Sequence, residues 1–173
     1  MLWAIRIAEA MIVTPTGSRT PFFSDTARGF VVGVILHVIS FHEEDDHNLP
    51  FVRDLIVRGY QVFDDNGVEM TKGREAHDLL LRKMQRNTAY SGAISGAAAA
   101  ITSAGGETAG NVRATLQEQT KWLDIPEVRH ALRSSSFNLA DLKTRKDVVF
   151  SVVAPVFSIR EELAPQPKTL RLF

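Results

Sequence analysis

The sequence predicts a mainly α fold: a helical bundle followed by one C-terminal strand that belongs to a larger α/β domain. Two observations carry this. Apolar residues recur at helical spacing through most of the chain, most clearly at Ala27, Phe30, Val31, Val34, Ile35 and Val38. One run, Val148–Val156, is instead near-continuously apolar and rich in β-branched residues, the pattern of a strand covered on both faces. No clear second strand accompanies it. The run therefore points to a fold that continues beyond this sequence.

Taken in order, Leu2–Val13 reads as a short helix stopped by the turn-rich stretch Thr14–Pro21. The strongest helix follows, with Ser24 or Asp25 placed to accept from its first-turn amides and an end near Phe41. Pro50–Arg58 is a short helix, proline being tolerated in the first turn and Gly59 suiting the residue after the last turn. Tyr60–Glu69 holds Asp64-Asp65-Asn66-Gly67, a turn signature, and reads as a loop or a small hairpin. Thr71–Arg86 is helical, with Leu79, Leu80 and Met84 on its buried side. Ala89–Ala104 is rich in small residues and is broken by Gly105-Gly106. Asn111–Leu123 carries the stripe Val112, Leu116, Gln119 and Leu123. Pro126–Arg133 starts on a proline, and Leu139–Lys143 has Asn138 and Asp141 spaced to cap reciprocally.

Composition narrows the function classes. The 173 residues hold 20 Lys plus Arg against 20 Asp plus Glu, so no overall field draws the chain to nucleic acid or membrane. Cysteine is absent, which excludes disulfides, thiolate metal sites and a cysteine nucleophile. The longest apolar runs, Phe30–Ile39 and Val148–Phe157, fall short of the roughly 20 residues of a membrane helix, so direct membrane contact is not expected. No G-x-x-x-x-G-K-[ST], G-x-S-x-G or H-E-x-x-H occurs, so neither catalytic residues nor a bound cofactor or metal is assigned.

Two charged segments remain as candidates for partner contact. Glu43, Glu44, Asp45 and Asp46 form a carboxylate run between His42 and His47. Its spacing matches no helical metal pair and no calcium loop, which leaves a hydrated acidic loop or a seat for a basic partner. Lys72, Arg74, Arg82, Lys83 and Arg86 give the next helix a local positive balance that would suit phosphates, or equally a solvent-facing side. Gly29-x-x-x-Gly33 and Gly92-x-x-x-Gly96 allow close backbone approach, read as tight helix packing or a dimer face. His37 falls at the polar edge of its helix, and Trp3, Trp122 and most phenylalanines fall on apolar faces suited to a core.

Five segments, taken in order, resemble the type IV secretion coupling proteins, the TraG-like conjugative ATPases. Pro21-Phe22-Phe23-Ser24-Asp25-Thr26-Ala27-Arg28 resembles the "P-F-W-x-x-x-A-R" start of a helix that runs on to a histidine, as Val31–His37 does. Phe23 stands where the family usually has Trp. Trp122-Leu123-Asp124-Ile125-Pro126-Glu127-Val128, Ser136-Phe137-Asn138-Leu139-Ala140-Asp141-Leu142 and Val153-Ala154-Pro155 follow the family order "L-x-D-P-x-V … S-x-F-x-L-x-D-L … V-x-x-V-x-P". The ending Leu170-Arg171-Leu172-Phe173 is similar to the family's "L-R-L-F", while Gln61–Gly110 is the least family-like stretch.

The resemblance implies an all-α domain, residues 24–143, inserted in the nucleotide-binding domain of a hexameric P-loop ATPase anchored in the bacterial inner membrane. Residues 1–13 and 146–173 would be flanking pieces of that host domain, and their ends are expected to meet. ATP and magnesium would bind in the parent protein rather than here. On the cytoplasmic face, this part would recognise secretion substrates: relaxase–DNA complexes, effector proteins or their adaptors, with DNA itself a further candidate. Two other roles stay open, a subunit-coupling part of the motor and an unrelated helical interaction protein.

Overall fold

A computed structural model describes residues 1–14, 21–134 and 141–145. Residues Met1–Ser134 form one compact unit, a mainly α bundle. It is built around α2 (Phe22–Phe41), which packs against α1 (Leu2–Met11), α3 (Leu49–Arg58), α4 (Arg74–Arg86), α5 (Ala93–Thr102) and α6 (Gly106–Thr120). α7 (Pro126–Arg133) packs on α3. The second unit contributes only the short α8 (Asp141–Thr144) to the described residues. The strand expected at Val148–Val156, the meeting of the chain ends and the Asn138 cap lie outside them.

α2 starts earlier than its sequence suggests. Pro21 is its N-cap residue, without a side-chain cap bond, and Ser24 and Asp25 lie inside the first turn rather than before it. Ser24 is buried there, while Asp25 accepts from Arg28 at 2.9 Å and places a negative charge near the helix's positive end. Buried residues at Phe30, Val31, Gly33, Val34, Ile35, Leu36, His37 and Val38 cover most of the circumference. Among the described residues, α2 is the one helix long and apolar enough to cross a membrane, and much of it is covered by its neighbours in the bundle.

The five helices around it explain a correction. His37, expected at a polar edge, is fully buried, because helices packed on several sides leave α2 no such edge at that level. The same crowding decides which small residues matter. A Cβ on Gly33 would collide with that of Ala97 and press on Met84, so α2 and α5 meet where neither has bulk. Gly29 and Gly96 face open space and Gly92 serves a turn, so close packing holds at Gly33 and not along both predicted motifs.

The remaining elements follow local rules, with shifted ends. Asn48 caps α3 by accepting from the Phe51 amide at 2.9 Å, and Gly59 ends it at a positive φ where a side chain would strike the backbone of Ala76. The segment after Gly59 is a minimal hairpin, joined by Met70 N–H to Val62 C=O and Asp64 N–H to Val68 C=O, with Phe63 and Glu69 bridged. α4 begins at Arg74 because Thr71 is committed to that hairpin, its hydroxyl donating to the Tyr60 carbonyl and accepting from Val62 N–H. Leu80 and Met84 are buried as expected, but Leu79 is only half-buried and Ala76 takes its place. The small-residue stretch from Ala89 divides into a turn, Ala89–Gly92, and α5. α6 begins at Gly106 and buries Val112, Leu116 and Thr120, while Leu123 sits on the 3-10 turn that follows.

Candidate functional site

The acidic run folds into a short 3-10 turn, Glu44–Asp46, between α2 and α3. Glu43, Glu44 and Asp45 are exposed, and Asp46 is half-exposed. The backbone beneath them is pinned. Asp46 and His47 donate to the carbonyls of Glu43 and Glu44, both at 3.0 Å, and Asn48 Nδ2 donates to Asp45 C=O at 2.8 Å. Asn48 thus caps α3 with its oxygen and holds the turn with its amide nitrogen. No three metal-ligating side chains converge among the described residues.

Behind this turn lies a cluster that the sequence reading missed. Asp46 Oδ2 is 3.5 Å from His42 Nδ1, His42 Nε2 is hydrogen-bonded to the Tyr60 hydroxyl, and that hydroxyl lies 3.4 Å from His37 Nε2. On the other side of the ring, His37 Nδ1 accepts from Asn87 Nδ2 at 2.9 Å. His37 also stacks on Phe41, with centroids 5.1 Å apart, and His42 on Tyr60 at 5.4 Å. Burial, reinforced by the neighbouring His42 and Lys83, lowers the His37 pKa to about 4. Burial also holds His42 below the usual imidazole value against the opposing pull of Asp46. The Tyr60 hydroxyl is raised above the ordinary phenol range, chiefly by burial and further by Asp46. These groups come from four separate stretches of chain, so spacing alone could not reveal them. The nearest signal was the pairing of His37 and His42.

The basic residues do not form one surface. Lys72, Arg74, Arg82 and Arg86 are exposed, but Lys72 precedes α4. Lys83 turns inward over the rings of Phe41 and Tyr60, its ammonium 4.9 and 4.7 Å from their centroids. It belongs to the histidine cluster, and only the other four remain open to a phosphate.

The acidic turn also forms one wall of a cleft of about 280 Å³. Asp45 and Asp46 face Arg129 and Arg133 of α7 across it, over Phe51. Arg129 is engaged with Asp54 at 2.6 Å. Beside the cleft, the buried Arg53 chelates Asp124, with Nη2 to Oδ2 at 2.6 Å and Nε to Oδ1 at 3.1 Å. Its Nη1 donates to Thr120 Oγ1 at 2.7 Å and to Gln117 C=O at 3.1 Å. The Arg53 hydrogen bond, more than its charge, holds Asp124 below the usual carboxylate range.

A family model described as "Type IV secretory system Conjugative DNA transfer" matches residues 2–166. The chain belongs to this family. No curated protein and no solved structure matches it.

Within this type IV secretory, conjugative DNA transfer chain, the residues that carried the resemblance have structural duties. Arg28, from the segment beginning Pro21-Phe22-Phe23, reaches back across the break before α2. Its guanidinium donates to Ile12 C=O at 3.2 Å and Thr14 Oγ1 at 3.1 Å, tying α2 to the end of α1. Asp124, from Trp122–Val128, neutralises Arg53 and so locks the 3-10 turn Lys121–Asp124 onto α3. Both position the helices from which the acidic turn and the α7 arginines project.

Proposed function

We propose that this chain is the substrate- or adaptor-recognition part of a type IV secretion coupling protein, recruiting DNA–relaxase complexes or effector proteins to the secretion channel. The observation that supports it is the acidic turn: three open carboxylates, Glu43, Glu44 and Asp45, on a backbone held by Asn48. A pinned turn loses little freedom on binding, and clustered carboxylates steer and hold a basic segment. Each exposed pair contributes only about 0–1 kcal/mol, so several must act together. In this reading ATP and magnesium belong to the parent hexamer at the cytoplasmic face of the inner membrane, and this part alone does not turn over ATP. Nothing in its sequence matches a phosphate-cradling loop.

The test replaces Glu43 and Glu44 with Gln and Asp45 and Asp46 with Asn, and titrates relaxase, effector or adaptor at low and moderate salt. Affinity falls about tenfold or more at low salt, and the difference narrows as salt screens the charges. Unchanged affinity at both salt levels, with an unchanged far-UV spectrum, removes the acidic turn from the reading. Arg82→Gln with Arg86→Gln then tests whether the basic helix makes the contact instead.

A further inference from the structure

The turn between α4 and α5 is conformationally costly. Tyr90 and Ser91 both adopt left-handed backbone angles, φ 54° and 55°, and Gly92 follows at 85°. Two consecutive side-chain-bearing residues in that region persist only where the surroundings hold them. The hold begins at Asn87, whose Oδ1 accepts from Ala89 N–H at 3.0 Å. Because a backbone amide can only donate, this bond fixes which end of the Asn87 amide is oxygen. Its NH₂ is then committed to Ser40 Oγ and His37 Nδ1, both at 2.9 Å.

The proton positions follow. His37 Nδ1 must accept, so a neutral ring carries its hydrogen on Nε2, facing the Tyr60 hydroxyl. The Tyr60 hydroxyl in turn donates to His42 Nε2, leaving the His42 hydrogen on Nδ1 toward Asp46. Donation runs in one consistent direction, from the α4–α5 turn to Asp46, and a second proton on His37 has no acceptor in it. We propose that His37, Asn87 and the Ala89–Gly92 turn form an acid-released latch: protonation of His37 expels the Asn87 amide and frees the turn joining α4 to α5.

An imidazolium Nδ1–H would point at the Asn87 NH₂. Asn87 cannot turn over to accept it without giving up Ala89 N–H and setting its own NH₂ against that donor. The ionisable groups around His37 are His42, Tyr60 from the hairpin and Lys83 from α4, and α5 carries none. Lys83 and His42 oppose the added charge, whereas Asp46 reaches it only through His42. Release therefore needs real acidity, in keeping with a His37 pKa near 4. It frees the segment that follows Arg86, while Leu80 and Met84 keep α4 in the core.

The test joins ¹⁵N NMR of the histidine rings with hydrogen exchange across residues 87–93. At neutral pH, His37 should be the Nε2–H tautomer. Exchange at Ala89, corrected for its intrinsic pH dependence, should rise by about tenfold or more between pH 6.5 and 4 as the local structure opens. His37→Gln should abolish that rise. Asn87→Asp offers the imidazolium an acceptor while keeping the Ala89 bond, and should raise the His37 midpoint by about one pH unit or more. A neutral His37 protonated on Nδ1, an exchange rise that persists in His37→Gln, or an unmoved midpoint in Asn87→Asp would each overturn the latch.

Discussion

Truncating Asp124 to Ala strands Arg53. The guanidinium lies on a side chain only 5% exposed and loses three of its five hydrogen bonds, those to Oδ1 and Oδ2, while keeping Thr120 and Gln117. Breaking a fully buried ion pair from one side costs about 3–5 kcal/mol. Asp124 itself is 54% exposed, so water screens part of the attraction and reaches part of the vacated site. The expected loss is about 2 kcal/mol, equivalent to a fall in Tm of about 4–8 °C for a domain of this size. Urea denaturation followed by tryptophan fluorescence measures it, Trp122 being on the affected turn. Arg53→Met removes the charge while keeping the apolar stem, so Arg53→Met with Asp124→Ala should cost less than the two single changes added together. The coupling should be about 1–2 kcal/mol. A loss below about 0.5 kcal/mol for Asp124→Ala, or strict additivity, would refute the claim that this pair staples α3 to the turn before α7.

Two further outcomes follow from the packing and the buried histidine. Gly33→Val should cost about 2 kcal/mol or more by forcing α2 from Ala97, whereas Gly29→Ala, on the same helix but facing open space, should be neutral or mildly stabilising; paired thermal melts distinguish them. His37 is held neutral with its pKa lowered from 6.5 to about 4, so its contribution is complete above pH 6.5 and is lost as pH falls toward and through 4. The unfolded chain takes up the proton first over that window, which gives a loss of roughly 3 kcal/mol by pH 4. Denaturation of wild type and His37→Gln at pH 7.5 and 4.5 isolates it, and equal losses in both proteins would remove His37 as the cause.

The sequence by itself determined the features that depend on neighbours along the chain. The apolar period of α2 and the first-turn Pro50 and Gly59 end of α3 are set within a turn or two of the residues concerned. So is the Asp64–Gly67 turn, where the Asp64 carboxylate accepts from Asn66 and Val68. The exposure of Glu43, Glu44 and Asp45 was legible too, since a carboxylate run is hydrated unless something pairs with it. Tertiary structure decided what packed around each element. It buried His37 by surrounding α2, drew Lys83 off its helix surface onto two aromatic rings, and paired Arg53 with a carboxylate 71 residues away. A side chain's periodic position gives its direction from its own helix axis, but not what the other helices bring to meet it. Burial, pKa and hydrogen-bond partners are properties of that meeting, which is why the histidine cluster emerged only from the folded chain.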